Sequence, residues 1–294
     1  MSTLKVAALQ GVSASSDAIT LANDGTCTAN ITNNLSNRNL IINGAMQVAQ
    51  RGTSSTTGGY QTVDRFRCNF SNNDENGTQT QHALTSSDTG PYEEGFRFSY
   101  HVTNGNQTSG AGADDAVEFL SKIESQDIAN SGWDYTSTSS YLTLSFWVKS
   151  SVAQNFFGHL KTTDGTAYNY PFETGSLSAN TWTKITKTIS GNSNLQFDNN
   201  QNEGLRITWF QFAGTDRTAS SATLNQWAAY DDAARTPDQT STWYTTNNAT
   251  FEITGVQLEV GSVATDFEHR SYAQELALAQ RYCQLVYVIL YANG

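Results

Sequence analysis

Short runs in which apolar and polar side chains alternate fill the chain between residues 60 and 260. They include YLTLSFWVKS, TWTKITKTIS and LRITWFQFAG, and Asn, Gly, Ser and Asp separate one run from the next. Alternation with a period of two places the apolar side chains on one face of a β-strand. Many such runs, each closed by turn residues, predict an all-β fold: an antiparallel jelly-roll β-sandwich.

One segment follows helical spacing instead. Ser271 suits an N-cap and Gln274 completes a capping box. The later apolar side chains recur every three or four residues: Leu276, Ala279, Tyr282, Cys283 and Val286. We therefore expect a C-terminal helix over residues 271–284 that docks on the sandwich or on a neighbouring subunit. The following VYVILY predicts a strand or a packed tail.

Residues 1–38 form short extended pieces broken by Asn-Asp-Gly and Asn-Asn turns. They contain too little apolar surface for a core of their own. Such a segment becomes ordered by pairing with copies of itself or by docking on a larger assembly; the alternative is a disordered N-terminus. Recurring β-branched residues favour docking. The predicted organisation is an N-terminal segment (1–38), a sandwich (39–270), and a C-terminal helix and tail (271–294).

Charge excludes two classes of partner. The 294-residue chain has a net charge of −11 and no run of Lys or Arg, so it lacks the basic surface that nucleic acids or anionic membranes require. No apolar stretch approaches the ~20 residues that span a bilayer, and residues 1–21 are too polar for a secretory signal. We expect a soluble protein made in a cytoplasm, without nucleic-acid binding or membrane insertion.

The three cysteines, Cys27, Cys68 and Cys283, are odd in number and form no Cys-x-x-Cys pair. We therefore expect reduced thiols and neither a disulfide framework nor a structural zinc site.

Catalytic motifs are sparse. There is no Gly-x-Ser-x-Gly, and the four histidines form no metal-binding pair. Paired carboxylates are the remaining enzymatic option, because a glycosidase needs two of them across a cleft. The candidates are Asp114, Asp115, Glu118, Glu124, Asp127, Asp231 and Asp232. The Glu-x-Asp-x-x-Glu strand motif of some jelly-roll glycosidases is absent, so we expect no catalytic residue.

Calcium is the one cofactor to consider. Residues 198–204 (DNNQNEG) begin like an EF-hand loop, but Glu203 and Trp209 stand where Gly and the bidentate Glu belong. A second start at residues 72–77 ends with Ala83 at the closing position. A looser cage of oxygen ligands for a structural calcium ion stays open, and no other cofactor is expected.

Aromatic side chains divide into two groups. Trp147, Trp182 and Trp209 lie within strand-like runs, where packing in the core is expected. Other aromatics lie in polar segments beside Asp, Asn and Thr, as they do where flat rings stack on a sugar. The candidate glycan-binding residues are Trp133, Tyr135, Trp227, Tyr230, Trp243 and Tyr244. The alternative for any one of these is a buried position at the edge of the core. We expect residues 215–249 to carry specificity.

Four stretches together resemble a family of phage virion proteins, the tail-fibre or tail-associated subunits with a carbohydrate-binding jelly-roll domain. They are NLIINGAMQVAQRGTSSTTGGYQTVDRF (39–66), FLSKIESQDI (119–128), YLTLSFWVKSS (141–151) and FEITGVQLEVGSVATDFEHRSYAQELALAQRY (251–282). The resemblance implies that AVEFLSKI (116–123) is a strand, although its acidic start would also suit a helix. It also implies that Gln257, Glu259 and Glu268 belong to the structural framework.

Further implications concern assembly. The resemblance implies a homotrimer in the virion, joined to other tail or capsid proteins by the N-terminal segment, with the sandwich facing the host surface polysaccharide. The expected function is host receptor binding without catalysis, by a bacteriophage tail-fibre subunit made in the bacterial cytoplasm. The alternatives are a structural tail adaptor or capsid decoration protein, and a glycan-cleaving tailspike-type enzyme.

Overall fold

The computed structural model describes residues 6–10, 12, 19–21, 27–29 and 37–285. Three short strands come first: β1 (Ala8–Leu9), β2 (Ile19–Leu21) and β3 (Cys27–Ala29). They pair antiparallel in that order, with Ala8 opposite Thr20 and Ile19 opposite Ala29. The short extended pieces predicted there are therefore confirmed where the structure describes them. The division of the chain into three domains stays a prediction.

Two six-stranded antiparallel sheets follow. Their strands are β4 (Ser54–Ser55), β5 (Phe66–Ser71), β6 (Thr78–Ala83), β7 (Phe98–Thr103), β8 (Ala116–Glu124), β9 (Tyr141–Ser150), β10 (Asn155–Thr162), β11 (Tyr168–Ser176), β12 (Thr183–Ser190), β13 (Glu203–Ala213), β14 (Ala228–Ala229) and β15 (Thr250–Val260). Sheet I has the order β14-β11-β10-β13-β8-β5, and sheet II the order β12-β9-β15-β7-β6-β4. The chain crosses repeatedly between the sheets, so the predicted jelly-roll sandwich is confirmed.

The hydrophobic core lies between the two sheets. Phe119 of β8 and Trp209 of β13 stack with ring centroids 5.1 Å apart, and Phe146 of β9 meets Trp209 edge-on at 5.7 Å. All three side chains are buried. The alternation in the sequence thus places one face of each sheet in this core and leaves the other face outside. It also confirms the strand at residues 116–123 and the core position of Trp209.

Trp147 and Trp182 lie outside the core between the two sheets, so the expectation of core packing is wrong for both residues. Trp147 lies between the inward-facing Phe146 and Val148, so its side chain emerges on the outer face of sheet II. Trp147 donates to Glu94 Oε2 at 3.0 Å, and Trp182 donates to an Asp88 carboxylate oxygen at 3.0 Å. Both indoles are half-buried beneath residues 84–97, which cross this outer face.

Three helices complete the described fold: α1 (Ser125–Ala129), α2 (Thr242–Thr245) and α3 (Tyr272–Gln280). Helix α3 begins with the predicted capping box, since the Gln274 amide donates to Ser271 Oγ and the Ser271 amide donates to Gln274 Oε1. It ends at Gln280, four residues before the predicted end at residue 284. Beyond the helix, the Cys283 amide donates to the Ala279 carbonyl. The predicted VYVILY strand lies outside the described residues.

The segments near residues 39 and 260 lie together. The Asn39 amide donates to Glu268 Oε2 at 2.8 Å, and the Asn39 side chain bonds the backbone of Val256 and Leu258. Gln257 donates to Glu259 Oε1 at 2.9 Å. These contacts place Gln257, Glu259 and Glu268 in the framework, as predicted.

The described cysteine side chains form no disulfide: Cys68 is buried and Cys283 is partly buried. Burial raises the pKa of the Cys68 thiol. The side chain of Cys27 lies outside the described part. No helix within the described ranges is long and apolar enough to cross a membrane.

Candidate functional site

The outer face of sheet I forms a groove of about 520 Å³. Its floor is made by side chains that alternate with the core residues on four neighbouring strands. They are Arg67 and Asn69 of β5, Glu118 of β8, Arg206 and Thr208 of β13, and His159 and Lys161 of β10. One wall comes from the segment after β13 and carries Arg217, Tyr230, Asp232 and Arg235.

This wall is fixed to the edge of sheet I by backbone contacts. Ala228–Ala229 pair with β11, and the Tyr230 amide donates to the Ala167 carbonyl at 2.9 Å. Asn169 of β11 donates to the Arg235 carbonyl at 2.8 Å. The groove is therefore built on strands and on a wall tied to them, which favours a preformed binding surface.

Arg235 links two carboxylates of the groove. Its guanidinium lies 2.7 Å from Asp232 Oδ1 and 3.7 Å from Glu118 Oε2. Asn69 donates to the other oxygen of Glu118 at 2.9 Å. Deeper along β13, Arg206 donates twice to Glu203, at 2.7 and 3.1 Å. These pairs hold the guanidinium groups in fixed positions.

Tyr230 lies at the centre of the wall. Its hydroxyl donates to Asp232 Oδ1 at 2.6 Å, and the Lys161 ammonium lies 3.5 Å from the centre of its ring. Burial, together with the Asp232 carboxylate, raises the pKa of Tyr230 to about 12. The hydrogen bond from Tyr230, together with Arg235, lowers the pKa of Asp232. Tyr230 stays protonated and Asp232 stays ionised at neutral pH.

His159 contributes a neutral imidazole. It is buried, and burial together with the charge of Arg235 lowers its pKa to about 3. The ring lies beside Phe210, with centroids 5.3 Å apart. His159 therefore acts as an uncharged polar group on the floor of the groove at physiological pH.

The predicted aromatic residues divide sharply by burial. Trp133, Trp243 and Tyr244 belong to the hydrophobic core, and this corrects their assignment as candidate glycan-binding residues. Trp243 donates from its indole to the Thr250 carbonyl at 3.0 Å, and Tyr244 stacks on Phe212 with centroids 4.6 Å apart. A ring enclosed by protein on both faces offers no surface to a sugar. Polar neighbours in sequence did not reveal that these rings point inward.

Tyr135 and Trp227 are half-buried and pack against the edge of the core. Trp227 donates to the Ser190 carbonyl at 2.7 Å and lies 5.3 Å from the Tyr170 ring. Tyr135 meets Phe197 edge-on at 5.0 Å. Of the six predicted residues, Tyr230 alone lines the groove. The segment expected to carry specificity, residues 215–249, does supply the groove wall.

The candidate carboxylates are held by other groups of the protein. Glu118 and Asp232 contact Arg235 in the groove. Arg281 binds both oxygens of Glu124, at 3.0 and 2.8 Å, and lowers its pKa to about 2. Burial and the charge of Glu124 raise the pKa of Asp127.

The remaining three candidates lie outside the groove lining. Asp115 accepts from the Gly112 amide at 2.6 Å, and Asp231 accepts from the Ala233 amide at 2.9 Å. Asp114 is exposed. Neither of the first two carboxylates is directed at the groove, since each closes a turn.

The two loops considered for calcium are hydrogen-bonded to other segments of the sandwich. Asp74 accepts from the Ser109 amide at 2.6 Å, and the Asp198 amide donates to Asp164 at 3.0 Å. Within the described ranges, no group of three or more His, Cys, Asp or Glu could hold a metal ion. The looser oxygen cage stays a prediction.

Comparisons with known proteins identify similar folds. No family model matches the sequence, and no curated protein matches it. The chain is similar to the enzymatically active domain of tailspike protein 4 of bacteriophage CBA120, with 11% identity and a TM-score of 0.38 over 76% of this chain. The aligned part spans 21% of that tailspike chain. The resemblance to phage tail subunits seen in the sequence therefore stays a prediction.

Two carbohydrate-binding modules are also similar. The N-terminal cellulose-binding domain of Cellulomonas fimi β-1,4-glucanase C has 10% identity and a TM-score of 0.35, covering 74% of this chain and 99% of that one. The family 11 carbohydrate-binding module of Clostridium thermocellum, in complex with a β-1,3-1,4-mixed-linked tetrasaccharide, has 10% identity and a TM-score of 0.32. It covers 72% of this chain and 98% of that one.

Proposed function

We propose that this protein binds a saccharide non-covalently in the groove of sheet I, as the host-recognition subunit of a phage tail fibre. The observation that carries the binding proposal is the convergence of hydrogen-bonding side chains from four strands in one open groove. A saccharide presents many hydroxyl groups, and fixed polar side chains recognise them by direction and distance. The volume of about 520 Å³ suits a small-molecule site.

The groove supports recognition better than catalysis. A glycosidase needs one carboxyl group with a raised pKa as general acid and a second carboxylate across the bond. Here the hydrogen bond from Tyr230 lowers the pKa of Asp232. Asp232 is therefore ionised and unsuited to protonate a leaving group, and Arg235 contacts both Asp232 and Glu118.

Assignment to the virion rests on the sequence resemblance. In this proposal residues 1–38 join the subunit to other tail or capsid proteins, and three copies assemble as a homotrimer. One open polar site binds weakly, but three sites in a trimer and several fibres in a particle raise avidity without new contacts. The sandwich then presents the groove to the host surface polysaccharide.

A structural adaptor or decoration protein is the second candidate. Helix α3 exposes Tyr272 and Leu278, and the bend after β15 exposes Val263. Exposed apolar side chains of this kind suit a contact between subunits. In this second candidate the groove binds no saccharide, and the protein serves only in assembly.

The test fills the groove without changing its charge. Asn69 lines the groove on the edge strand β5, so Asn69→Trp places an indole in the ligand space. Thr186→Trp on the exposed outer face of sheet II is the matched control. Each fluorescently labelled protein is applied to a panel of bacterial strains and to their isolated capsular and lipopolysaccharide glycans.

We expect the wild type and Thr186→Trp to bind the same cells and glycans, and Asn69→Trp to lose at least about tenfold in affinity. The oligomeric state and thermal unfolding of all three proteins are measured alongside. Binding that survives in Asn69→Trp contradicts the groove assignment. A wild type that binds no strain and no glycan favours the adaptor.

A further inference from the structure

The groove concentrates positive charge in a protein whose net charge is −11. Five cationic side chains and two carboxylates line it, an excess of three positive charges. The cations are Arg67, Lys161, Arg206, Arg217 and Arg235. They come from only 16 Lys and Arg residues in the whole chain, so the groove is an exception to the acidic character of the protein.

Three of these cations have no carboxylate partner. Within the described part of the chain, Arg67, Lys161 and Arg217 take part in no ion pair, whereas Arg206 and Arg235 do. The Arg217 guanidinium donates to the Asp114 backbone carbonyl, at 3.3 Å. An anionic ligand can therefore meet these groups without breaking an existing salt bridge.

The electrostatics of Lys161 agree with this arrangement. Burial lowers the pKa of its ammonium group, the charges of Arg206 and Arg235 lower it further, and the charges of Asp232 and Glu203 offset only part of this. A cation that other cations destabilise gains most when an anion enters beside it.

The groove also lacks a free aromatic platform. Tyr230 is half-buried, and the Lys161 ammonium covers one face of its ring. Phe70, the other benzene ring in the groove lining, comes from a strand end and packs against the core, and the imidazole of His159 is buried. Stacking on the apolar face of a neutral sugar therefore contributes little here, and affinity must come from hydrogen bonds and charge.

From these contacts we infer that the ligand is an acidic saccharide, whose carboxylate, phosphate or sulfate groups meet Lys161, Arg67 and Arg217. This inference rests on the proposed function and specifies its ligand class. Guanidinium groups match such oxyanions by paired hydrogen bonds. Asn69, which is partly exposed and already donates to Glu118, lies where it can also meet a sugar hydroxyl. Arg67 on β5 and Lys161 on β10 are three strand spacings apart, roughly 14 Å. This spread favours an extended oligosaccharide with recurring acidic residues.

The test compares ligands that differ in charge and variants that differ in one cation. Wild-type protein is assayed by calorimetry with polygalacturonate, dextran sulfate and neutral dextran of matched length. It is also assayed on an array of neutral, uronic-acid-containing and phosphorylated bacterial polysaccharides. The variants are Lys161→Gln and Arg67→Gln. The control is Lys184→Gln, which removes a lysine that lies 5.7 Å from the Trp147 ring on the outer face of sheet II.

We expect acidic glycans to bind, neutral ones to bind at least about tenfold more weakly, and affinity to fall between about 50 and 300 mM NaCl. Lys161→Gln and Arg67→Gln each lower the affinity at least about fivefold and weaken its salt dependence. Lys161→Arg restores most of the affinity, and Lys184→Gln changes nothing. Polygalacturonate against dextran sulfate then distinguishes carboxylate from sulfate as the acidic group.

Three results overturn the inference. If neutral glycans bind as tightly as acidic ones and only Asn69→Trp abolishes binding, the proposed function stands and the acidic ligand is wrong. If the acidic polymers bind equally to wild type, Lys161→Gln and Arg67→Gln, they bind outside the groove. If the wild type binds no glycan of either kind, the inference and the proposed function fail together.

Discussion

Lys161 and Tyr230 form a cation–aromatic pair across the groove of sheet I, with the lysine Nζ 3.5 Å from the ring centre. The two residues come from strand β10 and from a segment that follows β13, so the pair exists only in the folded sandwich. Tyr230 also donates to Asp232, which accepts from Arg235. The pair therefore joins the floor of the groove to its wall.

Removing the Tyr230 hydroxyl tests this junction. Tyr230→Phe keeps the ring beneath Lys161 but leaves Asp232 without one of its donors. Because the Asp232 carboxylate is largely exposed and screened by solvent, loss of this hydrogen bond should lower the free energy of unfolding by only about 0.5–1 kcal/mol. Urea denaturation measures this change. Tyr272→Phe is the control, because Tyr272 is exposed and should change stability by less than about 0.5 kcal/mol.

Substitution of Trp243 should act on folding. Its indole is fully buried and donates to the Thr250 carbonyl, so Trp243→Ala removes a large core side chain and one hydrogen bond. We expect the free energy of unfolding to fall by about 3–5 kcal/mol in chemical denaturation. Trp227→Ala should cost clearly less, since Trp227 is half-buried. Equal stability of Trp243→Ala and wild type would contradict the assignment of Trp243 to the core.

The sequence predicts the elements whose signals are local. The strands follow from alternation over five to ten residues, as in YLTLSFWVKS, and α3 follows from the capping box of Ser271 and Gln274. The helix end is less predictable, because residues 281–285 contain no Gly or Pro that would mark a stop after Gln280.

Most residues of the groove cannot be predicted from local sequence signals. Arg67, Lys161 and Arg235 lie far apart in the sequence. They line one groove because sheet I places β10, β13, β8 and β5 side by side and the segment after β13 forms the wall. Each is an isolated polar residue in its own strand or loop, without a linear motif. The one available signal is the outward position of these polar side chains in alternating strands. Which of them become neighbours depends on the order of the strands in the sheet. The mixture of aromatic and polar residues in its segment predicts Tyr230, but the same signal also predicts Trp243, whose ring points inward.

Stability should depend on pH through Glu252. This buried carboxylate lies 3.0 Å from Lys149 Nζ and accepts from Ser99 at 2.8 Å. Burial raises its pKa, but His101, Lys149 and Ser99 together lower it to about 2, against an ordinary value of 4.5. Because the pKa is lowered in the folded state, Glu252 stabilises the fold above about pH 4.5, and this contribution is lost as the pH falls towards 2.

The expected loss from this one carboxylate is about 2–3 kcal/mol of unfolding free energy. Urea denaturation at several values between pH 7 and pH 2.5 measures it. Glu252→Gln should be less stable at neutral pH and should show a shallower decline on acidification. A decline as steep as that of wild type would show that Glu252 is not the responsible group.

A methyl group at Gly44 should disrupt the contact between the segment before β4 and strand β15. A Cβ there would lie 2.0 Å from the Val256 carbonyl oxygen, and the Gly44 carbonyl accepts from the Val256 amide at 3.0 Å. We expect Gly44→Ala to lower the unfolding free energy by more than about 2 kcal/mol. Gly132→Ala is the matched control, because Gly132 has φ of +85° with open space around it and should cost only about 1–2 kcal/mol. Thermal denaturation of both variants should rank them in that order.

The central claim is that a saccharide binds on the outer face of sheet I, and its most direct test is mapping of the bound saccharide by NMR chemical shifts. Labelled protein is titrated with the tightest glycan from the binding assays. We predict that the largest shifts occur at the amides of His159, Lys161 and Thr208 and in the wall around Tyr230. Shifts concentrated instead around Trp147 and Trp182, on the outer face of sheet II, would contradict the account.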